Sequence, residues 1–376
     1  MKKTYLWSIP LLLLGIALFS CNKDSSSTIE KEKLPLVSIF TAGNEIVDEP
    51  KINATMIIAD NNQEIYNGNI GIEIRGASSQ MFPKKSYGLE TRDASNNDLS
   101  VVLFDMPEEE DWVLYAPYSD KSLIRNRLIY DLARDMGNYA SRCEFTELSI
   151  NNVDKGIYVF MEKLKRDKGR IDISKLEPDE NSGEDLTGGY ILKIDKTAGS
   201  NLGDGYNDQN SFTSAYEPLH ATASQKIYFL YEYPDAEDIT SEQKTYIATY
   251  IADFENSLNS ADFTDPVNGY AKYINIESFI DFFLLNEVSN NIDAYRLSTF
   301  MYKDKNGKLA MGPIWDFNLA FGNVNYCGGD LTNVWAYKFN ERCSDDQWQI
   351  PFWWERLLQD PAFVEQLKQR WNGFPT

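Results

Sequence analysis

The chain has 376 residues, 43% of them hydrophobic and 13% aromatic, enough to build a buried core in one large or two medium domains. Its formal net charge of -21 argues against nucleic acid or an anionic membrane surface as partner, because phosphate binding needs clustered Lys and Arg. A single histidine, His220, rules out a His-ligated metal cluster, and no CxxC or Cys/His pattern suggests zinc.

In chain order, the first stretch reads as an export signal. Lys2 and Lys3 form a charged start, Leu11 to Phe19 is an apolar run too short to span a bilayer comfortably, and Leu18-Phe-Ser-Cys21 resembles a bacterial lipobox. Residues 1–20 are therefore expected to be a lipoprotein signal peptide, Cys21 the lipidated mature N-terminus, and 21–33 a flexible tether. Membrane contact is expected through this anchor only. In the oxidising compartment that follows from export, Cys327 and Cys343 are expected to close a short disulfide loop worth roughly 3 kcal/mol, leaving Cys143 as a small buried residue.

Residues 34 to about 90 read as β-rich: Val37 and Ile39, Thr55 to Ile58, and the alternating Ile70, Ile72 and Ile74 are strand signals. The last of these strands runs into Arg75-Gly-Ala-Ser-Ser79, and another, Ser86 to Thr91, follows Pro83-Lys-Lys85. A small-residue loop between strands offers backbone N–H groups to a phosphate, and a lysine entering the next strand reaches it as a point charge. An ordinary hairpin with a solvated lysine is the bland reading of the same words. Asp120 is expected to cap a helix from Lys121 to Met136, with Ile124, Leu128, Leu132 and Met136 on its apolar face and Gly137 as its stop. Asp131 or Asp135 on that helix is a candidate partner for Lys85. Two further strands flank the turn NNVDKG (residues 151–156), and the second ends at Glu162, either another partner for Lys85 or part of a hinge whose backbone reads adenine.

Residues 172 to 240 carry the weakest signals: two polar surface loops around the strands Gly189 to Ile194 and Ile227 to Tyr233, with an acidic spacing that does not fit an EF-hand. Thr240 and Gln243 form a capping box for a helix whose stripe is Ile247, Tyr250, Ile251, Phe254 and Leu258. Residues Gln349 to Trp371 are aromatic and helical. Trp353, Trp354, Leu357 and Leu358 are expected in the core, or else as an exposed cluster that stacks on sugars. The chain stops at Gly373-Phe-Pro-Thr376 without a closing element, which reads as a truncated C-terminus.

The stretch Ile276 to Asn323 organises the rest. Asn275 caps a buried helix reaching about Val288, and the polar Ser289 to Asp293 then places Asp293 on a loop at the end of a rigid element. A period-two pattern from Leu297, a tight turn at Asp304 to Gly307, and a return strand to Ile314 deliver Trp315-Asp-Phe-Asn318. Helix, loop Asp, hairpin, then Asp-Phe is the order in which protein kinases present a catalytic-loop base and a Mg²⁺-binding Asp-Phe-Gly.

Taken together, these residues resemble the CotH kinase family of spore-coat proteins. The matching words are Asn290, Asp293 and Tyr295, the run Gly312 to Asn318, Ile74 to Glu90, Asp111 to Leu128 and Gly156 to Leu164, covering about residues 70 to 370. The resemblance implies an α+β, atypical protein kinase-like two-lobe fold, with a β-rich N-terminal lobe over 34–165 and a helix-rich C-terminal lobe over 166–376. It further implies transfer of the γ-phosphoryl group of ATP, with Mg²⁺ or Mn²⁺, to Ser or Thr of an exported protein. Asp293 would orient or deprotonate the acceptor, Asp316 would bind the metal, and Lys85 would neutralise phosphate charge, with Lys84 as the competing lysine. Arg75, and Glu162 on its second reading, would help hold the nucleotide. Where kinases carry a metal-binding Asn five residues after the catalytic Asp, this chain has Ser298, so Asn318 or Asn291 is expected to substitute.

Two other classes fit parts of the sequence. An exported lipoprotein meets little ATP, so the same fold without turnover would serve as a surface adhesin or glycan-binding module. A glycoside hydrolase would use Asp293 and Asp316 as paired carboxylates about 5 to 10 Å apart in an aromatic cleft.

Overall fold

Strict alternation of apolar residues builds the first half. The computed structural model describes residues 33–374 except positions 62, 198–204 and 223, so the leader and Cys21 lie outside the described residues. Strands β1 (Leu36–Phe40), β2 (Ile52–Asp60), β3 (Gln63–Arg75), β4 (Ser86–Arg92), β5 (Asp111–Tyr115), β6 (Cys143–Ile150) and β7 (Val153–Glu162) form a closed barrel in the order β1-β2-β3-β4-β5-β7-β6. A parallel pairing of β1 with β6 closes it, with Val37 opposite Leu148, and closure leaves no free sheet edge. Val37, Met56, Ile58, Ile72, Leu89 and Trp112 fill the interior, each at most 1% exposed.

The helix between β5 and β6 departs from its expectation. Helix α1 runs Arg125–Asp135, because the Asp120 carboxylate accepts from the backbone N–H groups of Ser122 and Arg125, both at 3.0 Å, and holds residues 121–124 in a turn. Ile124 and Leu128 are 48% exposed, while Asn126, Ile129, Tyr130 and Ala133 are buried. The face turned inward is therefore part polar, and periodicity in apolar residues could not find it.

A second sheet has the order β12-β11-β8-β10-β9, built from β8 (Tyr190–Ile194), β9 (Ser211–Thr213), β10 (Tyr228–Tyr233), β11 (Thr299–Lys303) and β12 (Ala310–Met311). Its central strand β8 is buried along its whole length, as a strand with neighbours on both edges and covered faces must be. Helix α2 (Ser241–Asn259) starts at the Thr240–Gln243 capping box. Helix α3 (Ile276–Val288) starts at Asn275, whose side chain accepts from the Ser278 N–H, and Phe279 to Asn286 are all buried. Three short helices follow: α4 (Phe339–Arg342), α5 (Trp353–Leu357) and α6 (Pro361–Asn372).

Trp353 and Trp354 are each 1% exposed and pack on Phe279 and Phe282 of α3, so they are core and do not form a sugar platform. Cys327 and Cys343 are joined by a disulfide with Cα atoms 5.8 Å apart, and Cys143 is buried and free. The chain is thus α+β in class. Among the described residues no helix is long and apolar enough to cross a membrane.

Candidate functional site

A cavity of about 510 Å³ opens where the rim of the barrel faces the second sheet, within the usual size range of ligand pockets. From the barrel come Arg75 and the loop Gly76 to Ser79. Gly76 has φ +105°, and a Cβ there would collide with Ser79 Oγ, so glycine is required for this tight turn off the end of β3. From the second sheet come Lys193, Asp195 and Lys196 at the end of β8, and Glu232 on β10. The loop after α3 supplies Asp293, Arg296 and Ser298, and the segment after β12 supplies Trp315, Asp316 and Asn318.

Helix α1 holds the Asp316 segment. The Asp316 N–H donates to Tyr130 Oη at 3.1 Å and the Phe317 N–H to Asn126 Oδ1 at 2.8 Å, which explains why these two residues face inward. Asp316 has φ +61°, and Asn290, Tyr295 and Ser298 also have positive φ. Tyr295 is fully buried, packs with its ring centre 4.5 Å from that of Trp354 and donates to Glu287 Oε1 at 2.8 Å, contacts that hold a bulky residue in a disfavoured conformation.

Electrostatics single out Asp316. Its carboxylate makes no hydrogen bond or ion pair among the described residues, although its backbone is anchored. Burial, then the charges of Asp293 and Asp195, raise its pKa to about 7, with Lys196 and Arg75 only partly opposing them. Asp293 is also raised by burial, against the pull of Arg296, whose Nη2 lies 2.8 Å from Asp293 Oδ1. Burial would depress the Lys193 ammonium, but Glu232, 2.8 Å away, and Asp195 outweigh it and raise its pKa. Asp316 is raised by its acidic neighbours even though Arg75, Lys193, Lys196 and Arg296 line the same cavity, the kind of perturbation that clusters at functional sites.

The donor set suits a hard ion. Asp316 offers a carboxylate without a protein partner, Ser298 Oγ lies 3.4 Å from Asp195 Oδ2, and Asn318 lines the same space. Asp195, Asp293 and Asp316 are not among the sets of three acids whose oxygens lie within 4.8 Å of one another. A divalent ion there would take one or two carboxylates and complete its shell from phosphate oxygens and water. Elsewhere, Glu109, Glu110 and Asp111 are already bridged by the Lys165 ammonium at 2.8 to 3.1 Å. A wider groove of about 750 Å³ between β9, β10 and α2 has one deeply buried carboxylate, Glu255, which accepts from Ser214, Ala215 and Trp353.

Several expected residues sit elsewhere. Lys85 does not line the cavity; its ammonium donates to the Gln80 carbonyl within its own loop, and Lys84 donates to the Ile157 carbonyl and lies over the Tyr158 ring. Asp131 pairs with Arg127 and Arg134, not with Lys85. The Glu162 side chain is fully buried and 2.7 Å from Arg142, so it does not partner Lys85, while its neighbours Met161, Lys163 and Leu164 line the cavity. Asn291 does not line the cavity: its amide donates to Asn286 Oδ1 and its oxygen accepts the Asp293 N–H, which shapes the loop. The cationic position expected of Lys85 is filled by Lys193 with Glu232, both in the stretch that carried the weakest sequence signal. The available clue was a lysine and an aspartate two residues apart in an otherwise apolar strand, which puts both on one face.

The family model for CotH kinase protein matches residues 72–374. The chain belongs to the CotH kinase family. No curated protein matches it. As a CotH kinase family member it is kinase-like, and membership implies in general terms a nucleotide, a divalent metal and a protein substrate. The cavity lining brings Arg75, Lys193 and Lys196 together with Asp293 and Asp316.

Proposed function

We propose that the protein is an exported CotH kinase that transfers the γ-phosphoryl group of ATP to a Ser or Thr hydroxyl of a surface or secreted protein, while anchored through lipid on Cys21. The observation that carries this reading is the partnerless Asp316 carboxylate, poised near neutral pH and facing Asp293 across a cavity rimmed by Arg75 and Lys193. On this reading the barrel, within residues 34–165, acts as the N-terminal lobe and residues 166–376 as the C-terminal lobe of an atypical protein kinase-like fold.

Asp316, with Ser298 and Asn318, would hold Mg²⁺ or Mn²⁺, which when bound neutralises charge on the transferring phosphoryl group. Lys193, held by Glu232, and Arg75 place fixed positive charge beside the phosphates, and the backbone at Gly76 to Ser79 adds N–H donors. Asp293 orients the acceptor hydroxyl and takes its proton, on a loop whose direction Arg296 sets. Ser298 brings a weaker ligand than an amide carbonyl, and Asp195 beside it supplies the charge it lacks.

The test is Mg²⁺-dependent nucleotide binding and autophosphorylation. Asp316→Asn is expected to abolish metal-dependent ATP binding. Asp293→Asn is expected to keep that binding and lower turnover by on the order of 10²- to 10⁴-fold. Wild-type protein that binds no nucleotide with either metal would sink the reading and leave a surface-binding lipoprotein.

A further inference from the structure

A chain of contacts joins the disulfide to Asp293, and phosphoryl transfer as described above uses only its last link, Arg296 to Asp293. Arg296 is 2% exposed, and its guanidinium reaches two carboxylates, Asp293 Oδ1 at 2.8 Å and Asp346 Oδ1 at 3.3 Å. Its Cζ lies 4.0 Å from the centre of the Phe339 ring. Phe339 sits inside the segment closed by Cys327 and Cys343, and Asp346 follows that segment directly. A guanidinium this buried must be paired, and two acids and an aromatic face fix where it lies.

Two more latches tie the same segment to the same loop. Asn290 Nδ2 donates to the carbonyls of Leu331 at 2.9 Å and Gly329 at 3.2 Å. Glu287 accepts from Tyr295 Oη and from the N–H groups of Ala336 and Tyr337, each at 2.8 Å. The loop from 289 to 297 has no sheet partner; Asn291 and the burial of Ile292, Ala294 and Tyr295 fix its backbone, and the contact from Arg296 fixes the direction of the Asp293 side chain.

We propose that the disulfide-closed segment 327–343, together with Asp346, positions Asp293 through Arg296, so that Arg296 and Asp346 are positioning residues for the acceptor side of the reaction. This rests on the reading of Asp293 as the group that receives the acceptor hydroxyl. The nucleotide side is anchored separately, by Asp316, whose backbone is held by Tyr130 of α1, and by Lys193 on β8. Loosening the segment therefore lowers turnover and leaves nucleotide affinity alone. A displacement of about 1 Å at a reacting group is enough for a loss on the order of 10²-fold.

The experiment uses the full chain as wild type, as Asp346→Ala, as Asp346→Glu, and as wild type reduced with a phosphine after folding. Affinity for a non-hydrolysable ATP analogue with Mg²⁺, the autophosphorylation rate at saturating ATP, and hydrogen exchange over residues 289–297 are measured on each. Asp346→Ala and the reduced protein are expected to lose about 10- to 100-fold in rate, with affinity within about two-fold and faster exchange in the loop. Asp346→Glu is expected to recover part of the rate. Rates within about two-fold of wild type, or affinity falling in step with rate, would overturn the positioning role. If wild type shows no autophosphorylation, the phosphoryl-transfer reading fails by itself. Unchanged exchange over 289–297 in Asp346→Ala then overturns the proposed latch on its own account.

Discussion

The barrel and the second sheet use their interiors in opposite ways. The barrel closes on itself, pairs its strand edges and fills its interior with Val, Ile, Leu, Met and Trp, so it can contribute to chemistry only at its rim, with Arg75 and the turn after it. The second sheet buries charge. Lys193 on its central strand is 7% exposed and is tolerated because Glu232 lies across from it on β10. The barrel interior is thus apolar, while the second sheet carries charge within its layer.

The largest effect belongs to the barrel. Trp112 is fully buried and packs on Phe160, so Trp112→Ala is expected to lower unfolding free energy by about 3–5 kcal/mol. Denaturant titration measures this. Nucleotide affinity per folded molecule should stay within about two-fold, and a large affinity loss would show that the division is false.

Next come the two lysines. Lys193→Met removes a charge-assisted contact of about 1.5–3 kcal/mol and is expected to weaken nucleotide binding by roughly 10- to 100-fold. Lys85→Met should change it by less than about two-fold, because the Lys85 ammonium is turned to Gln80. The reverse ranking in a calorimetric titration would restore Lys85 to the site.

The smallest effect is a pH slope. Burial raises Glu287 to about 7, against the pull of Tyr295, Tyr337 and Ala336, so the folded protein holds a proton that the unfolded chain releases near the ordinary glutamate value. The stability from that proton is complete below about pH 4.3 and is lost as pH rises towards about 7. Glu287→Gln titrates in neither state, and is expected to flatten the fall in unfolding free energy across that window. An unchanged slope in urea titrations at several pH values would show that Glu287 ionises normally.

Much of this was legible in the chain itself. The alternation at Ile70, Ile72 and Ile74, the Asn275 cap, the capping box at Thr240 and the Asp293-to-Asp316 order all follow from local periods and turn chemistry, which neighbouring residues fix. The family words that brought Arg75, Asp293 and Asp316 together are equally local, and the structure puts those three on one cavity. What sequence could not decide was direction and partnership. Whether Lys85 or Lys193 faces the cavity depends on which loop carbonyl or distant carboxylate is nearest once the layers meet, and Lys193 and Glu232 are separated by a strand and two loops in the chain. The inward face of α1 was hidden for the same reason: Asn126 and Tyr130 are buried because the Asp316 segment needs hydrogen-bond acceptors there. Local pattern determines which elements form. Only tertiary contact decides which polar groups find partners when water is removed, and that decides where the charges of this site lie.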